Sequence, residues 1–406
     1  MHSRAAEGNF INTFKQVIAV TAMNLRSLPA RAASSFVIVV GIAGVVAVLI
    51  SVLSLATGLT RTLSNTGRAE RAIILYAGAQ SEVESNLSRD AVLTLMDLPG
   101  IKRDLAGKPV ASADAMASMW LPKSGTGALG SVTFRGVSGN AFAVRPEIKI
   151  LQGRVFQAGV RELIVGKTAL ANFQGLQLGS RVKSIDTEWL VVGVFESNGD
   201  AHESELLADA DTVLSAYHRT TFNSVTVWLE SPAAFDTLKA SVTTNPTLSM
   251  DVQREAAYYE QQSKRFGTFL AVVANVIGVV MAIGAIFGAL NTMYSAVSAR
   301  AVEIATLRAI GFGSAGVVMS VLVEALTLAI LGALFGAVLA WLFFNGNTVS
   351  TISGGAGFSQ VAFHLHIGLN LVAIGIAWAC VVGLVGGLFP AIRAARLPVA
   401  AALRAL

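Results

Sequence analysis

Two histidines, His364 and His366, lie two positions apart in the segment VAFHLHIG and would share one face of an extended strand. Imidazole nitrogens in such a pair are good ligands for a transition metal. No third ligand stands nearby in the sequence, so we predict no metal site at this pair. His202, Glu203 and Glu205 have no metal-ligand spacing on a helix, and we expect them to lie in an exposed polar loop.

Two glycine-containing stretches resemble nucleotide-binding motifs by their letters. GTGALG at 125–130 matches GxGxxG, but that motif needs a strand before it and a helix after it. Here Leu121–Ser124 reads as a proline-containing loop and a strand-like SVTFRGV follows, so we predict a loop. GKT at 166–168 resembles the end of a P-loop, yet Arg161 stands where the motif requires its first glycine. The chain is therefore predicted to lack a nucleotide site of its own.

Catalytic signatures are missing from the sequence. It contains no GxSxG, no HExxH and no convincing pair of carboxylates. The single cysteine, Cys380, excludes an intrachain disulfide and a multi-cysteine zinc site. We therefore predict no catalytic residues and no metal site, and we expect a subunit that is not an enzyme.

Glu324 is the one acidic residue inside a long apolar stretch, about 15 Å from the start of that stretch if it is helical. An ionisable group at such depth is a functional candidate by default. The alternative is a structural carboxylate bonded to a hydroxyl or to the backbone of a neighbouring helix. The sequence offers it no basic partner within the membrane, which argues against a proton relay, and both interpretations stay open.

The composition indicates a membrane protein: 53% of the 406 residues are apolar and only 14% are charged. Charges are absent from 32–60 and from 266–299, and only Glu324 interrupts 309–392. A span needs about 20 apolar residues, and the polar segment at 345–360 divides the last stretch in two. We predict four transmembrane helices, at 36–59, 266–297, 314–344 and 367–390. The first is too long and too far from the N-terminus for a cleaved signal peptide.

Lysine and arginine near the span ends predict the orientation. Basic residues occur before span 1, between spans 2 and 3, and after span 4, whereas the loop between spans 3 and 4 has none. Both termini are therefore expected in the cytoplasm. The cytoplasmic segments would be an amphipathic stretch at 1–35, a short helix at 298–313 and a tail at 391–406. The outer segments would be a domain at 60–265 and a loop at 345–366.

The predicted outer domain mixes strands and helices. Short β-branched runs bounded by Gly, Ser or Asn predict strands at 73–78, 131–137, 161–166, 189–196 and 224–230. Helical spacing predicts helices at 88–101, 166–174 and 231–244. Thr60–Glu70 and Asp251–Phe266 also read as helical and run into spans 1 and 2 without a break. The sequence thus predicts an α+β domain carried on stalk-like extensions of two spans. Its acidic and basic residues nearly balance, so we expect no nucleic-acid partner despite a net charge of +5.

Small residues at helical spacing suggest how the spans pack. Three pairs have the GxxxG form, which lets helix backbones approach closely: Gly284 with Gly288, Gly332 with Gly336, and Gly383 with Gly387. Together they predict a tight bundle or a dimer.

Four stretches carry a family resemblance. SARAVEIATLRAIGFG at 298–313 resembles the REIGxLRAxGA element of FtsX/MacB-type ABC permeases, and PAIRAARLPVAAALR at 390–404 resembles the closing element of that family. Residues 151–196 are similar to the MacB-type periplasmic core domain, with GRxF, LGxxV and VVGV in the same order. MNLRSLPARA before span 1 also resembles the family's amphipathic helix.

The resemblance implies a permease subunit in a bacterial inner membrane. ATP and Mg would be used by a separate ABC ATPase, and a second permease copy, identical or different, would complete a dimer. Force would pass from the ATPase to the periplasmic domains, a process called mechanotransmission. The short helix at 298–313 would contact the ATPase; its coupling residues would be Arg300, Glu303, Leu307, Arg308 and Gly311.

The resemblance leaves the task open. An exporter of the MacB type would also need a periplasmic membrane-fusion adaptor and an outer-membrane channel. A lipoprotein-releasing permease of the Lol type is an alternative, as is an FtsX-like regulatory scaffold for a cell-wall hydrolase. The MacB-like motifs count against the scaffold. An ion-coupled carrier would need paired charges in the membrane, and only Glu324 is available.

Overall fold

The computed structural model of the chain describes residues 32–245, 247–310, 313–350 and 361–396. They form two compact units. We call the described residues up to 56, from 269 to 346 and from 366 onward the helical unit; residues 57–268 and 347–365 are the sheet unit. Most of the predicted amphipathic stretch at 1–35 and of the tail at 391–406 lies outside the described residues.

The elements alternate along the chain. The first half contains α1 (Ala32–Thr66), β1 (Arg71–Tyr76), α2 (Arg89–Met96), β2 (Ala111–Pro122), β3 (Leu129–Val137), α3 (Ala141–Val144), β4 (Lys149–Gly153), β5 (Glu162–Gly166), α4 (Lys167–Asn172), β6 (Arg181–Ser184) and β7 (Thr187–Glu196). The second half contains β8 (Leu206–Asp209), α5 (Ala210–Ala216), β9 (Ser224–Trp228), α6 (Ala234–Thr244), β10 (Met250–Arg254), α7 (Glu255–Ala299), α8 (Ala301–Ala309), α9 (Ser314–Phe344), β11 (Thr348–Ser350), β12 (Ala362–His364) and α10 (Leu369–Ala395).

Four of these helices, α1, α7, α9 and α10, are long and apolar enough to cross a membrane. The prediction of four apolar spanning helices is confirmed. The first two are longer than a bilayer requires: α1 has 35 residues and α7 has 45. Each of them contributes residues to both units, because α1 continues to Thr66 and α7 begins at Glu255.

The prediction of a helix over all of 251–266 is wrong at its start, because residues 250–254 form strand β10. This strand pairs antiparallel with β1, and Val252 lies opposite Ile74. Pairing buries Val252 and covers one side of β1, and a helix there would leave β1 without a neighbour on that side. The helical prediction for Thr60–Glu70 holds as far as Thr66, where α1 ends.

The sheet unit is built on one mixed sheet with the strand order β10-β1-β9-β2-β3-β8-β5-β7-β4, and β6 pairs with β7. The long β2–β3 hairpin lies in the middle of this order. One hydrophobic core covers the half that contains β1, β9 and β2, against α2 and α6. A second core lies on the other half, where the fully buried Trp189 meets Phe134 edge to face at a centroid distance of 4.8 Å.

Residues 125–128 of the GTGALG stretch form the loop of the β2–β3 hairpin, as the loop prediction states, whereas Leu129 and Gly130 already belong to β3. Gly125 and Gly127 both have positive φ, which few other residues adopt readily. The prediction that Leu121–Ser124 is all loop is wrong for its first two residues. Leu121 and Pro122 end strand β2, where Pro122 lies opposite Leu129. Proline is tolerated there because it occupies the last position of the strand.

In the helical unit, two of the three glycine pairs lie against a neighbouring helix. Gly332 and Gly336 of α9 face the main chain of Val39 and Ala43 in α1, so close that a Cβ on either glycine would overlap it. The other contact joins α10 to α9 and is made by Gly383 and Gly387, which lie against Ala329 and Ala325. The absence of a side chain lets these backbones approach.

Adding a methyl group at Gly336 tests this packing. We expect Gly336→Ala to lower the stability of the chain by about 1–3 kcal/mol, because the methyl group must displace the backbone at Ala43. Thermal unfolding of the detergent-purified chain measures the loss. Gly41→Ala in α1 is the matched control, since a Cβ at Gly41 meets nothing within 4 Å. Equal melting temperatures for the two variants would show that the α1–α9 contact tolerates bulk.

Candidate functional site

The short helix α8 joins the second and third apolar helices and holds most of the predicted coupling residues. Ile304 and Ala305 are buried, and Ile304 belongs to the core of the helical unit. Glu303 is exposed, and it stands in the first turn, with Arg308 in the last turn. These charges complement the helix dipole at both ends. Leu307 is half-buried, and Gly311 lies outside the described residues.

Arg300 precedes α8 and turns inward. Its Nη1 donates to Oε2 of Glu324 in α9 at 3.3 Å, and both side chains are largely buried. The prediction that Glu324 has no basic partner within the membrane is therefore wrong. Arginine has a long apolar stem that reaches a partner well away from its own Cα, and sequence spacing does not reveal such a pair. The ion pair ties the start of α8 to α9.

A buried network of ions occupies the sheet unit. Arg135, in the middle of β3, is about 1% exposed, and its guanidinium contacts three carboxylates. It donates to Glu82 at 2.8 Å, to Glu205 at 2.8 Å and to Asp114 at 3.2 Å. Arg145 donates to the same Asp114 at 2.8 Å. Two positive and three negative groups thus form one cluster, in which each charge has an opposite partner within hydrogen-bonding distance.

The prediction that His202, Glu203 and Glu205 form an exposed polar loop is wrong. Residues 201–204 form a 3-10 turn, and all three side chains are buried. Nδ1 of His202 lies 3.0 Å from Oε2 of Glu205, which joins the histidine to the Arg135 cluster. Glu203 accepts hydrogen bonds from the backbone amides of Ser197 and Gly199. The turn is polar because it satisfies buried groups, and not because it faces water.

The surroundings lower the pKa of Glu82 and Glu205 and raise the pKa of Asp200. Burial alone would raise the pKa of Glu205, but the Arg135 guanidinium and His202 hold it well below its usual range. Burial likewise opposes the lowering of the pKa of Glu82, which Arg135 and the Ser224 hydroxyl bring about. Asp200 has no arginine partner of this kind. Burial raises the pKa of Asp200 to about 6, against the opposing effects of His202 and Ser197.

The 3-10 turn also contacts two other parts of the sheet unit. The backbone amide of Ala201 donates to Oγ1 of Thr66, the last residue of α1, at 3.0 Å. Oγ of Ser204 donates to the carbonyl of Ala362 in β12 and accepts from its amide. The hairpin between the third and fourth apolar helices is therefore bonded to the same turn that carries His202.

His364 and Lys167, which were considered for metal and nucleotide binding, contact other side chains of the protein. Nδ1 of His364 lies 3.1 Å from the hydroxyl of Thr348 in the short hairpin. Lys167 begins the six-residue helix α4, as predicted, and pairs loosely with Glu196. Among the residues that the structure describes, no three His, Cys, Asp or Glu side chains are grouped so as to hold a metal ion.

Removing the charge of Glu324 would leave Arg300 buried without its carboxylate. We expect Glu324→Gln to cost about 1–2 kcal/mol of stability, because a largely buried, charge-assisted hydrogen bond from Arg300 is replaced by a weaker one to a neutral amide. Chemical denaturation of the purified chain in detergent measures this. The double variant R300M/E324M removes both charges and is expected to be more stable than Glu324→Gln. If Glu324→Gln unfolds at the wild-type denaturant concentration, the pair makes no contribution to stability.

The raised pKa of Asp200 makes the stability of the folded chain depend on pH. Between about pH 4 and pH 6 the folded chain keeps a proton on Asp200 that the unfolded chain loses, so stability falls as pH rises through this window. Asp200→Asn has no such loss and can still accept from the amide of His202. We expect it to be more stable than the wild type by about 2 kcal/mol at pH 8 and equal to it below pH 4. A pH-independent difference in melting temperature would contradict the assignment.

Comparisons with known proteins agree with this architecture. Residues 35–245 match the family model of the MacB-like periplasmic core domain, and residues 275–399 match that of the FtsX-like permease C-terminal domain. No curated protein sequence matches the chain significantly.

Two solved structures are similar to about half of the chain. One is the periplasmic region of MacB from Actinobacillus actinomycetemcomitans, with 17% identity and a TM-score of 0.37, covering 51% of this chain and 97% of that one. The other is the extracellular domain of the ABC-type transporter YknZ from Gram-positive bacteria, with 17% identity and a TM-score of 0.34, covering 45% of this chain and 99% of that one.

The two family matches follow one another along the chain and lie on the parts that the fold assigns to them. The first covers most of the sheet unit together with α1, and the second covers α8, α9, α10 and most of α7. Their order is that of a large domain inserted after the first of four membrane helices. The chain is a membrane protein and belongs to the FtsX/MacB-type permeases of ABC transporters.

Proposed function

We propose that this permease transmits force across a bacterial inner membrane, from a separate ABC ATPase to its own sheet unit. Members of the family work with ABC ATPase subunits. The observation that carries the proposal is that α1 and α7 each run without interruption from the helical unit into the sheet unit. A helix of 45 residues is about 68 Å long, more than twice the hydrocarbon thickness of about 30 Å.

The distribution of basic residues supports an orientation with both termini in the cytoplasm. Arg300 precedes α8 and Arg308 lies in its last turn, while Arg393 lies in the last turn of α10 and Arg396 follows it. The segment between α9 and α10 has no lysine or arginine. In this orientation α8 lies on the cytoplasmic side and the sheet unit on the outer side. ATP and Mg would then be held by the ATPase, on the same side as α8.

The exposed side of α8 is the proposed contact with the ATPase. Glu303 points outward, while Ile304 and Ala305 attach the helix to the rest of the unit. A short helix fixed at both ends by apolar helices and tied to α9 by the Arg300–Glu324 pair would move with the unit as one piece. A push on α8 would therefore displace the apolar helices rather than bend a loop.

The proposed partners also include a second permease copy. For export across two membranes, a periplasmic adaptor and an outer-membrane channel would be needed as well. A Cβ at Gly284 or Gly288 of α7 meets nothing within 4 Å in the described part of the chain. This glycine pair would allow close approach of a helix from a second copy.

Reversing the charges on α8 tests the proposed contact. We expect E303K/R308E to bind the ATPase at least about tenfold more weakly, because like charges would then face each other across the interface. The measurement is a binding isotherm of the purified ATPase on the permease in nanodiscs. E260K/K264E, which reverses an exposed pair on α7 in the sheet unit, is the matched control. Unchanged affinity of E303K/R308E, with its fold intact, would refute the contact.

A further inference from the structure

The ends of α1 and α7 meet at one buried side chain, Arg71. Arg71 is the first residue of β1 and is fully buried. Its Nη2 donates to the backbone carbonyl of Thr66, the last residue of α1, at 3.1 Å. Its Nε donates to Oε2 of Glu255, the first residue of α7, at 2.6 Å. A single guanidinium thus bonds to the end of one long helix and to the start of the other.

The same guanidinium also bonds to the body of the sheet unit. Its Nη1 donates to Oε1 of Glu147 at 2.6 Å and to the carbonyl of Val144, at the end of α3, at 2.9 Å. The backbone of Arg71 lies in β1, opposite Trp228 of β9. Arg71 therefore joins the two helix ends to strand β1, the neighbour of the edge strand β10, and to the segment after α3.

The segments around Arg71 are closely packed and share hydrogen bonds. A Cβ on Gly67, which follows α1, would lie 2.6 Å from Cα of Ala256 in α7, so the backbones of these two segments are in contact there. The amide of Arg68 donates to Oε2 of Glu255 at 3.0 Å, the oxygen that Arg71 also contacts. The carbonyl of Thr66 is one of those that an ending helix leaves without an intrahelical partner, and Arg71 supplies its donor.

Stability alone does not explain this choice of residue. Apolar side chains of similar volume often give as much stability as a buried ion pair, because removing charges from water is costly. What a guanidinium adds is direction: its five N–H donors form a rigid planar fork, and four of its bonds here point at four different backbone or carboxylate groups.

We propose that Arg71 is the positioning residue through which movement of α1 and α7 reaches the sheet. This inference rests on the proposed function, because it assigns the place where transmitted force enters the sheet unit. Displacement of either helix end pulls on the guanidinium, and the guanidinium pulls on β1 and on Glu147. Without it, the helix ends can move while the sheet stays behind.

The test follows the sheet unit during ATP binding in the whole complex. Spin labels are placed at Leu105→Cys in the sheet unit and Leu369→Cys at the start of α10, both highly exposed, in a Cys380→Ser background. The permease and its ATPase are reconstituted in nanodiscs. The distance between the labels is measured by pulsed electron paramagnetic resonance with and without a non-hydrolysable ATP analogue, and ATP hydrolysis is measured in parallel.

The main variant is R71M/E147Q/E255Q, which removes the joint together with the charges that would otherwise be stranded. We expect it to bind and stimulate the ATPase like the wild type, because α8 is untouched. The ATP-dependent change in distance should fall by about fivefold or more. R154M/E162Q is the matched control and should keep the full change, since that ion pair lies in the same unit and touches neither helix end.

Arg71→Lys is the second variant and keeps the charge. One ammonium cannot serve all four partners of the guanidinium, so we expect a partial loss of the distance change with normal ATP hydrolysis. A wild-type change in R71M/E147Q/E255Q overturns the inference. If that variant does not fold, a wild-type change in Arg71→Lys overturns it.

The proposed function fails separately. If the wild-type complex shows no ATP-dependent change in distance, transmission itself is refuted, whatever the variants do. If the wild type changes and the Arg71 variants change equally, transmission stands and only the assignment to Arg71 is lost.

Discussion

Backbone amides and carbonyls that cross hydrocarbon must find their hydrogen-bond partners within the chain, so a spanning segment has to stay helical across its apolar length. In this permease that requirement extends further, because α1 and α7 remain helical until they reach the sheet unit. A hydrogen-bonded helix of this kind lengthens or shortens very little. Movement imposed on one end of such a helix along its axis therefore arrives at the other end.

The sheet unit combines two hydrophobic cores with a set of buried ion pairs. Cohesion comes mainly from apolar residues such as Ile74 and Val225 in one core and Phe134 and Trp189 in the other. Arg135 and Arg71 instead link segments that are far apart in sequence through bonds of defined direction. Because water is excluded from these sites, each bond is strong, and loss of one partner leaves an unpaired charge. The network is thus stiff where apolar packing would allow sliding.

Much of the fold could be predicted from local patterns, since long charge-free runs and β-branched runs carry their own periodicity. The four apolar helices and strands such as β7 followed from these patterns. Strand β2 was missed because its alanine and serine residues have weak strand preference, and β10 because its polar residues resemble the helix that follows. The ion pairs could not be predicted, because their partners are far apart in sequence: Glu324 and Arg300 are 24 residues apart, and Arg71 and Glu255 are 184 apart. A charged residue inside a strand, such as Arg135, was the one local signal.

The position of β1 has a consequence for synthesis. This apolar strand is made early, yet its neighbours in the sheet, β9 and β10, come more than a hundred residues later. Until both have left the ribosome, Ile73, Ile74 and Leu75 have no permanent cover, and contacts of such long range form slowly. The nascent chain is therefore most prone to aggregation during the interval between the first spanning helix and the second. Emergence of β10, directly before α7, would complete the cover of β1 and end that interval.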